Sequence, residues 1–291
     1  MFCGLGLTVL LGCGDDGPGA SGGGAGGAGG ARQGGGSGAA GSAGTPPQGP
    51  LAPPGTPAPP LAPTPLRPGP SNFYDSVKFV FEGSAAPQAG IAKGTFPVEQ
   101  VSVVRGRVLD EAGKPLPGVK VAAVGTPEWG NVTTRADGTY DFAIVGGSQT
   151  PIRFTLAGAL PAQRRARAPW NRFHSLPDVV LLAPAATVTP VTFGGAAWQV
   201  ATSDRVVDKN GSRRVWIGFP PGTKATTLDA KGASTPLPTG KFRITEYTRG
   251  ARGPESMPGE LPPRSAYTFA VSLAFDEVEA ASVTFDKDVY V

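Results

Sequence analysis

The sequence predicts an all-β protein: two small β-sandwich-like domains carried behind a disordered Gly/Pro-rich tether. Three observations predict it. After residue 100, Val, Thr, Phe and Tyr recur in short runs bounded by Gly, Pro, Asp or Asn, as strands and their turns require. No stretch carries a long apolar stripe at helical spacing, which excludes a long amphipathic helix or a coiled coil. The N-terminal quarter, by contrast, holds almost nothing that can pack. From Gly14 to Gly44 sixteen of thirty-one residues are glycine, and from Thr45 to Pro70 twelve of twenty-six are proline. The first composition cannot bury enough surface to offset the entropy of ordering it, so a coil is expected. The second favours polyproline II, a stiffer spacer.

The tether therefore covers residues 14–70, and about 220 of the 291 residues remain to fold. Residues 71–100 read as a lead-in with room for one short helix. Val101 to Leu109, "VSVVRGRVL", is strand-like, and Asp110 to Gly118 follows as a turn before "VKVAAVGT". "NVTTRADGTYDFAIVGG" reads as a hairpin with Ala136-Asp137-Gly138 at its tip, where glycine reaches positive φ without strain. "PIRFTLAGALPAQRRARA" supplies two more runs around Gly158. A first sandwich is thus expected over 101–186. A second β-rich block, 187–291, has turns at Asp208-Lys209-Asn210-Gly211 and Asp229-Ala230-Lys231-Gly232, with "KFRITEYT" and "SAYTFAVSLAFDE" as further strands.

Candidate chemistry is sparse. The adjacent acids Asp110 and Glu111 sit inside a Gly/Pro-rich turn, which makes them turn residues rather than a catalytic pair. The single histidine, His174, lies too near Ser175 and Asp178 along one strand to form a triad with them. One histidine and no cysteine after Cys13 leave nothing for a zinc centre. The Asp208 loop lacks the glycine and glutamate of a calcium loop, and Asp137 to Asp141 has Phe142 where that glycine belongs. Gly22 to Gly27 matches GxGxxG only through low complexity, with no strand before it and no helix after. Arg164, Arg165 and Arg167, near Trp170 and Arg172, read as one solvated strand face. The net charge of +4 is spread rather than clustered, so no nucleic-acid partner is expected. No catalytic residue, metal site or cofactor is therefore expected.

The start, "MFCGLGLTVLLGCGDDG", is an apolar run from Phe2 to Leu11 closing in Leu10-Leu11-Gly12-Cys13. It resembles the lipobox of bacterial lipoproteins, although no Lys or Arg precedes the apolar core. The resemblance implies a signal peptide over 1–13, with Cys13 as the lipidation site. The run is too short to span a bilayer.

Gly106, Val108, Asp110, Gly113, Pro115, Leu116, Gly118 and Val119, then Gly125-Thr126, Thr134, Asp137-Gly138, Tyr140, Phe142 and Gly158, follow a spacing that resembles the carboxypeptidase regulatory-like domain. That family implies a prealbumin-type β-sandwich, an accessory module without catalytic residues of its own. "SNFYDSVKFVFEG", "LPAQRRARAPW", "LPDVVLL" and "ESMPGELPPRSAYTFAVSL" resemble the head that precedes the YD repeats in bacterial rearrangement-hotspot (RHS) proteins. Either the chain is a degenerate or split copy of such a protein, its second block truncated, or it works alone. The expectation is a non-enzymatic lipoprotein of the bacterial cell envelope, lipid-anchored at the outer membrane or cell surface. It would present scaffold or binding modules to a protein or glycan ligand. The alternative is the detached head of an RHS-type toxin or wall-associated protein, acting with a YD-repeat partner chain.

Overall fold

The computed structural model describes residues 7–11, 72–209, 211–229, 231–260, 269–278 and 282–291. The tether and Cys13 lie outside the described residues. The first strand, β1 (Leu7–Leu11), belongs to the second block and is placed below.

The lead-in begins with α1 (Phe73–Val77), capped by Asn72, whose side chain accepts the Asp75 N–H at 2.8 Å. Eight strands follow: β2 (Val101–Leu109), β3 (Lys120–Ala123), β4 (Asn131–Thr133), β5 (Thr139–Val145), β6 (Gln149–Thr155), β7 (Ala162–Arg167), β8 (Phe173–Ser175) and β9 (Val179–Val180). They form two sheets, β5-β2-β8 with β9 also pairing β2, and β4-β3-β6-β7. The inner faces meet in one core around Val103, Val121, Tyr140, Phe142, Ile152 and Phe154. Val101 to Val104 are buried without interruption, although alternate residues of a strand face opposite ways. The outer side is covered by the lead-in, whose Val77, Val80, Phe81 and Phe96 join the same core.

The strands expected in this block are present, but the hairpin expected at Ala136-Asp137-Gly138 is not one, and the turn before it also leads from one sheet to the other. The chain does reverse at Asp110, where Leu109 bridges Pro115 and the Leu116 N–H donates to the Val108 carbonyl at 3.0 Å, but the strands β2 and β3 on either side are not partners. β2 pairs with β5, β8 and β9, whereas β3 pairs with β4 and β6, so this turn crosses between sheets. The turn at Asp137-Gly138 does the same, since β4 and β5 also lie in different sheets. Alternation and turn residues mark where a strand ends but do not say which strand it pairs with. The run around Gly158 is a true hairpin, β6 pairing β7 from Gln149↔Arg167 to Phe154↔Ala162.

Gln88 closes the open edge of β5. Its Nε2 donates to the carbonyls of Trp129 (2.7 Å) and Ala143 (3.0 Å), and its Oε1 accepts the Ala143 N–H at 2.7 Å. Next to it Ala89 bridges Asn131 in β4, so residues 88 and 89 clip the two sheets together. Gln88→Leu would leave three buried backbone groups unpaired. At about 1 kcal/mol per bond it should lower the urea unfolding free energy by about 2–3 kcal/mol, with an unchanged m-value.

The second block contains β10 (Thr189–Thr192), β11 (Gln199–Thr202), β12 (Val206–Asp208), β13 (Gly211–Arg213), β14 (Trp216–Phe219), β15 (Ala225–Leu228), β16 (Ser234–Leu237), β17 (Thr239–Glu246), a helical turn α2 (Gly253–Ser256), β18 (Phe269–Phe275) and β19 (Ser282–Phe285). The sheets run β1-β18-β17-β10 and β16-β15-β19, beside the pairs β11-β14 and β12-β13. Phe193, Phe219, Phe242, Phe275 and Phe285 interlock edge-on or tilted at centroid separations between 4.8 and 6.5 Å, the spacing aromatic rings prefer. Gly240 makes room for them: a Cβ there would lie 2.5 Å from the Phe275 ring.

A third apolar cluster joins the blocks: Leu109, Val180, Leu182, Tyr247, Met257 and Ala270. Polar bonds surround it. Glu111 pairs with Arg249 at 2.9 Å, and the Gln163 N–H donates to the Pro258 carbonyl at 2.8 Å. Arg164 corrects the sequence reading, which placed it on a solvated strand face. The burial of β7 alternates, and Arg164 falls on the inward side at 7% exposure, with Arg165 and Arg167 outward. Its guanidinium donates to the carbonyls of Met257 (2.9 Å), Glu255 (2.5 Å) and Gln163 (2.7 Å).

Candidate binding surface

The acids with which the sequence is most conspicuous are structural. The Asp110 carboxylate accepts the Lys114 N–H at 2.8 Å and closes its own turn, while Glu111 holds Arg249. His174 is half-buried in β8, Ser175 is exposed, and Asp178 is occupied by Arg107 at 2.6 Å. Among the described residues no hydrogen bond joins these three. Asp137 accepts from the Thr139 N–H and hydroxyl at 3.0 and 2.6 Å. Asp208 takes both Arg213 amines, at 2.8 and 2.7 Å. Among the described residues no group of three or more His, Cys, Asp or Glu gathers as a metal site.

Among the described residues two open clefts stand out. One, of about 490 Å³, lies on the first block between β2 and β5. Arg105, Arg107 and Arg135 line it, but Asp141 holds Arg105 and Arg135, at 3.0 and 2.6 Å, and Asp178 holds Arg107. The hydrogen bond to Asp178 raises the Arg107 pKa. The Tyr140 hydroxyl is buried beneath without a hydrogen-bond partner, and burial pushes its pKa up. This cleft is a closed ion-pair network.

The other, of about 830 Å³, lies on the second block and is lined by Arg205, Ser212, Arg213, Arg214, Val215, Trp216, Phe269 and Val291. Its chemistry follows from the alternation in "RRVWIGF". Val215, Ile217 and Phe219 point into the core, so Arg214, Trp216 and Gly218 must point out. On the paired strand Val200 lies opposite Gly218, and Thr202 opposite Trp216. On the far side of β14, Tyr290 exchanges both backbone hydrogen bonds with Gly218, at 2.8 and 3.0 Å.

Glycine at 218 lets the indole of Trp198 lie across the strand and meet Tyr290, ring centroids 5.5 Å apart. A Cβ at 218 would stand 3.4 Å from the Trp198 ring and 3.7 Å from Tyr290, so anything larger than alanine would push the indole away. The result is an outward aromatic face of Trp198, Val200, Trp216 and Tyr290, exposed by 55, 53, 55 and 59%, with the Trp198 and Tyr290 rings inclined at 58°. Arginine borders it. Arg213 is bound by Asp208 and by Glu246, at 2.7 and 2.8 Å, and the hydrogen bonds to Asp208 raise its pKa strongly. Arg205 donates to the Ser212 hydroxyl at 2.7 Å. Arg205 and Arg214 have no carboxylate partner among the described residues. Sequence reading passed over this face, although tryptophans at the outward positions of apolar strands were its available signal.

The first block has known counterparts. Residues 96–181 match the family model of the Teneurin TTR-like domain. This block is a prealbumin-type β-sandwich. The TTR-like match begins within the lead-in, ahead of β2, and ends just past β9, as does the main apolar core. Teneurin-3 of Mus musculus is 31% identical over 118 residues, Teneurin-3 of Danio rerio 33% over 110, and Teneurin-m of Drosophila melanogaster 31% over 111. These alignments take in 40, 38 and 38% of this chain and 4% of each relative's length. Among solved structures, the Bacillus anthracis TIE protein aligns over 62% of this chain and 32% of its own, at 12% identity and a TM-score of 0.25. Catechol 1,2-dioxygenase from Acinetobacter aligns over 33 and 56%, at 13% identity and 0.24. Scores this low carry no argument. The TTR-like match supports a β-sandwich binding or scaffold module and reaches no further than the first block.

Proposed function

We propose that this chain is a non-enzymatic lipoprotein of the bacterial cell envelope, anchored through Cys13 at the outer membrane or cell surface. The tether 14–70 would hold the two β-blocks off the lipid as one binding head. The observation that carries the binding part is the aromatic face of the second block. An apolar patch left half-exposed on a strand face contributes little to folding, and such patches commonly mark contact sites. The anchor part rests on the lipobox-like Leu10-Leu11-Gly12-Cys13 and the Gly-rich composition behind it. Cleavage before Cys13 would remove β1, which pairs β18 in the full chain, and leave β18 as the edge of that sheet. Acyl chains hold strongly, at about 0.8 kcal/mol per buried methylene.

Labelling cells with an alkyne palmitate analogue should mark the protein and place it in the membrane fraction. Cys13→Ser should abolish the mark and release the chain to the soluble fraction. A labelled Cys13→Ser protein would overturn the anchor.

A second reading, the detached head of an RHS-type protein working with a YD-repeat chain, is favoured by one feature. The RHS-like segments lie in both blocks, and two of them meet at the junction: Gln163 and Arg164 bond to Pro258, Glu255 and Met257. Co-purification of a YD-repeat chain with the native protein would select this reading.

A further inference from the structure

We propose that the face formed by Trp198, Trp216 and Tyr290 binds an acidic polysaccharide, its sugar rings stacked on the aromatic side chains and its carboxylates held by Arg214 and Arg205. The inference rests on the binding-module reading above and names the ligand class.

The surface is built for a flat, rigid ligand. Residues 198, 200, 216 and 290 present their side chains from three adjacent strand segments, and cross-strand neighbours on one face stand about 5 Å apart, diagonal ones about 7–8 Å. Gly218 is the low point between them, with Trp198 lying over it against Tyr290. The C–H face of a pyranose is flat and apolar while its rim is polar, and it suits rings laid open in this way. At the rim, Thr202 stands opposite Trp216, and Ser212 lies in the adjoining cleft.

Charge decides between neutral and acidic sugars. The three cleft arginines are not equivalent. Asp208 and Glu246 neutralise Arg213, which therefore shapes the cleft rather than offering charge to a ligand. Arg205 and Arg214 are exposed and carry no carboxylate among the described residues, and a guanidinium fork matches a carboxylate with two parallel hydrogen bonds. Arg214 lies two residues from Trp216 on the same outward side of the strand, about 7 Å along it. A sugar stacked on that indole would bring a ring carboxylate within reach of the arginine. Among the described residues the two guanidinium groups without a carboxylate are too few to track a phosphate backbone, which argues against nucleic acid.

The test uses the full chain and three probes: an alginate hexasaccharide, neutral cellohexaose and a deoxythymidine hexamer, titrated by tryptophan fluorescence and calorimetry. Alginate is expected to bind at least tenfold more tightly than cellohexaose, with affinity falling as salt rises. Trp216→Ala should weaken alginate binding at least tenfold and Arg214→Gln about fivefold. Trp170→Ala, on the first block, should leave it unchanged. Near-ultraviolet circular dichroism of each variant checks that the fold is kept, and Gly218→Leu, which displaces Trp198, gives a second route to the same loss. Equal binding of cellohexaose, tighter binding of the oligonucleotide, no binding of any probe, or alginate affinity indifferent to Trp216→Ala would each overturn the proposal. Failure of acylation at Cys13 with alginate binding intact would remove the anchor reading and leave this one standing.

Discussion

Arg164→Met is expected to uncouple the two β-blocks. In the native protein the guanidinium donates across the junction to the Met257 and Glu255 carbonyls, and back to Gln163 in its own strand. Methionine fills similar space with no donor, so carbonyls at a buried junction lose their partner. Each unsatisfied group costs about 1–3 kcal/mol, and hydrogen bonds to a charged group stand at the upper end, so a total loss of about 3 kcal/mol is expected. The tryptophans report the two sides separately, with Trp129 in the first core and Trp198 and Trp216 on the second block. Urea unfolding followed by fluorescence should change from one transition to two, the second block unfolding first. Arg165→Met, one position along and outward-facing, should stay within about 0.5 kcal/mol. A single transition with an unmoved midpoint in the Arg164 variant would mean that the apolar cluster alone joins the blocks.

Gly138→Val is expected to be strongly destabilising. Gly138 has φ +75°, where a β-branched side chain is strained by about 1–2 kcal/mol. It also has no room. A Cβ would come within 2.5 Å of the Val108 carbonyl oxygen and 3.3 Å of the Leu116 nitrogen, because this turn passes directly over the Asp110–Gly118 crossing. Backbone atoms cannot swing aside as the end of a flexible side chain can, so the combined loss should reach about 3–4 kcal/mol. Gly158→Val separates the two effects. Gly158 has φ +77° and nothing within 4 Å of a Cβ, so only the conformational part, about 1–2 kcal/mol, should appear. Equal losses at 138 and 158, measured by thermal or urea unfolding, would mean that the crowding at 138 is relieved by movement of the turn.

Much of the fold was legible because strands announce themselves locally. Val101–Leu109, Thr139–Val145 and Thr239–Glu246 are apolar runs ended by glycine, proline or acidic turn residues, and each is a strand. Pairing was less legible. A turn that folds a hairpin and one that crosses between two sheets use the same residues, since both need a reversal and a positive φ, as Gly113, Gly118 and Gly138 supply. What separates them is the long-range partner, Val145 for Val101 or Phe154 for Val121, which no local window contains. Gln88 and Arg164 were invisible for a related reason. Their polarity suggests solvent, and only the carbonyls brought to them from distant residues make burial favourable. The aromatic face was half-legible. The alternation of "RRVWIGF" fixes Trp216 outward, but the passage of Trp198 over Gly218 to Tyr290 depends on a segment more than seventy residues on in the chain.

The reading of an envelope-anchored binding head is tested most directly at the amino terminus. The protein should be extracted with detergent from the membranes of its native host, digested, and its N-terminal peptide weighed by mass spectrometry. The expected peptide begins at Cys13 and carries the mass of a diacylglycerol and an amide-linked acyl chain. A peptide that begins upstream of Cys13 and holds that cysteine unmodified would contradict it.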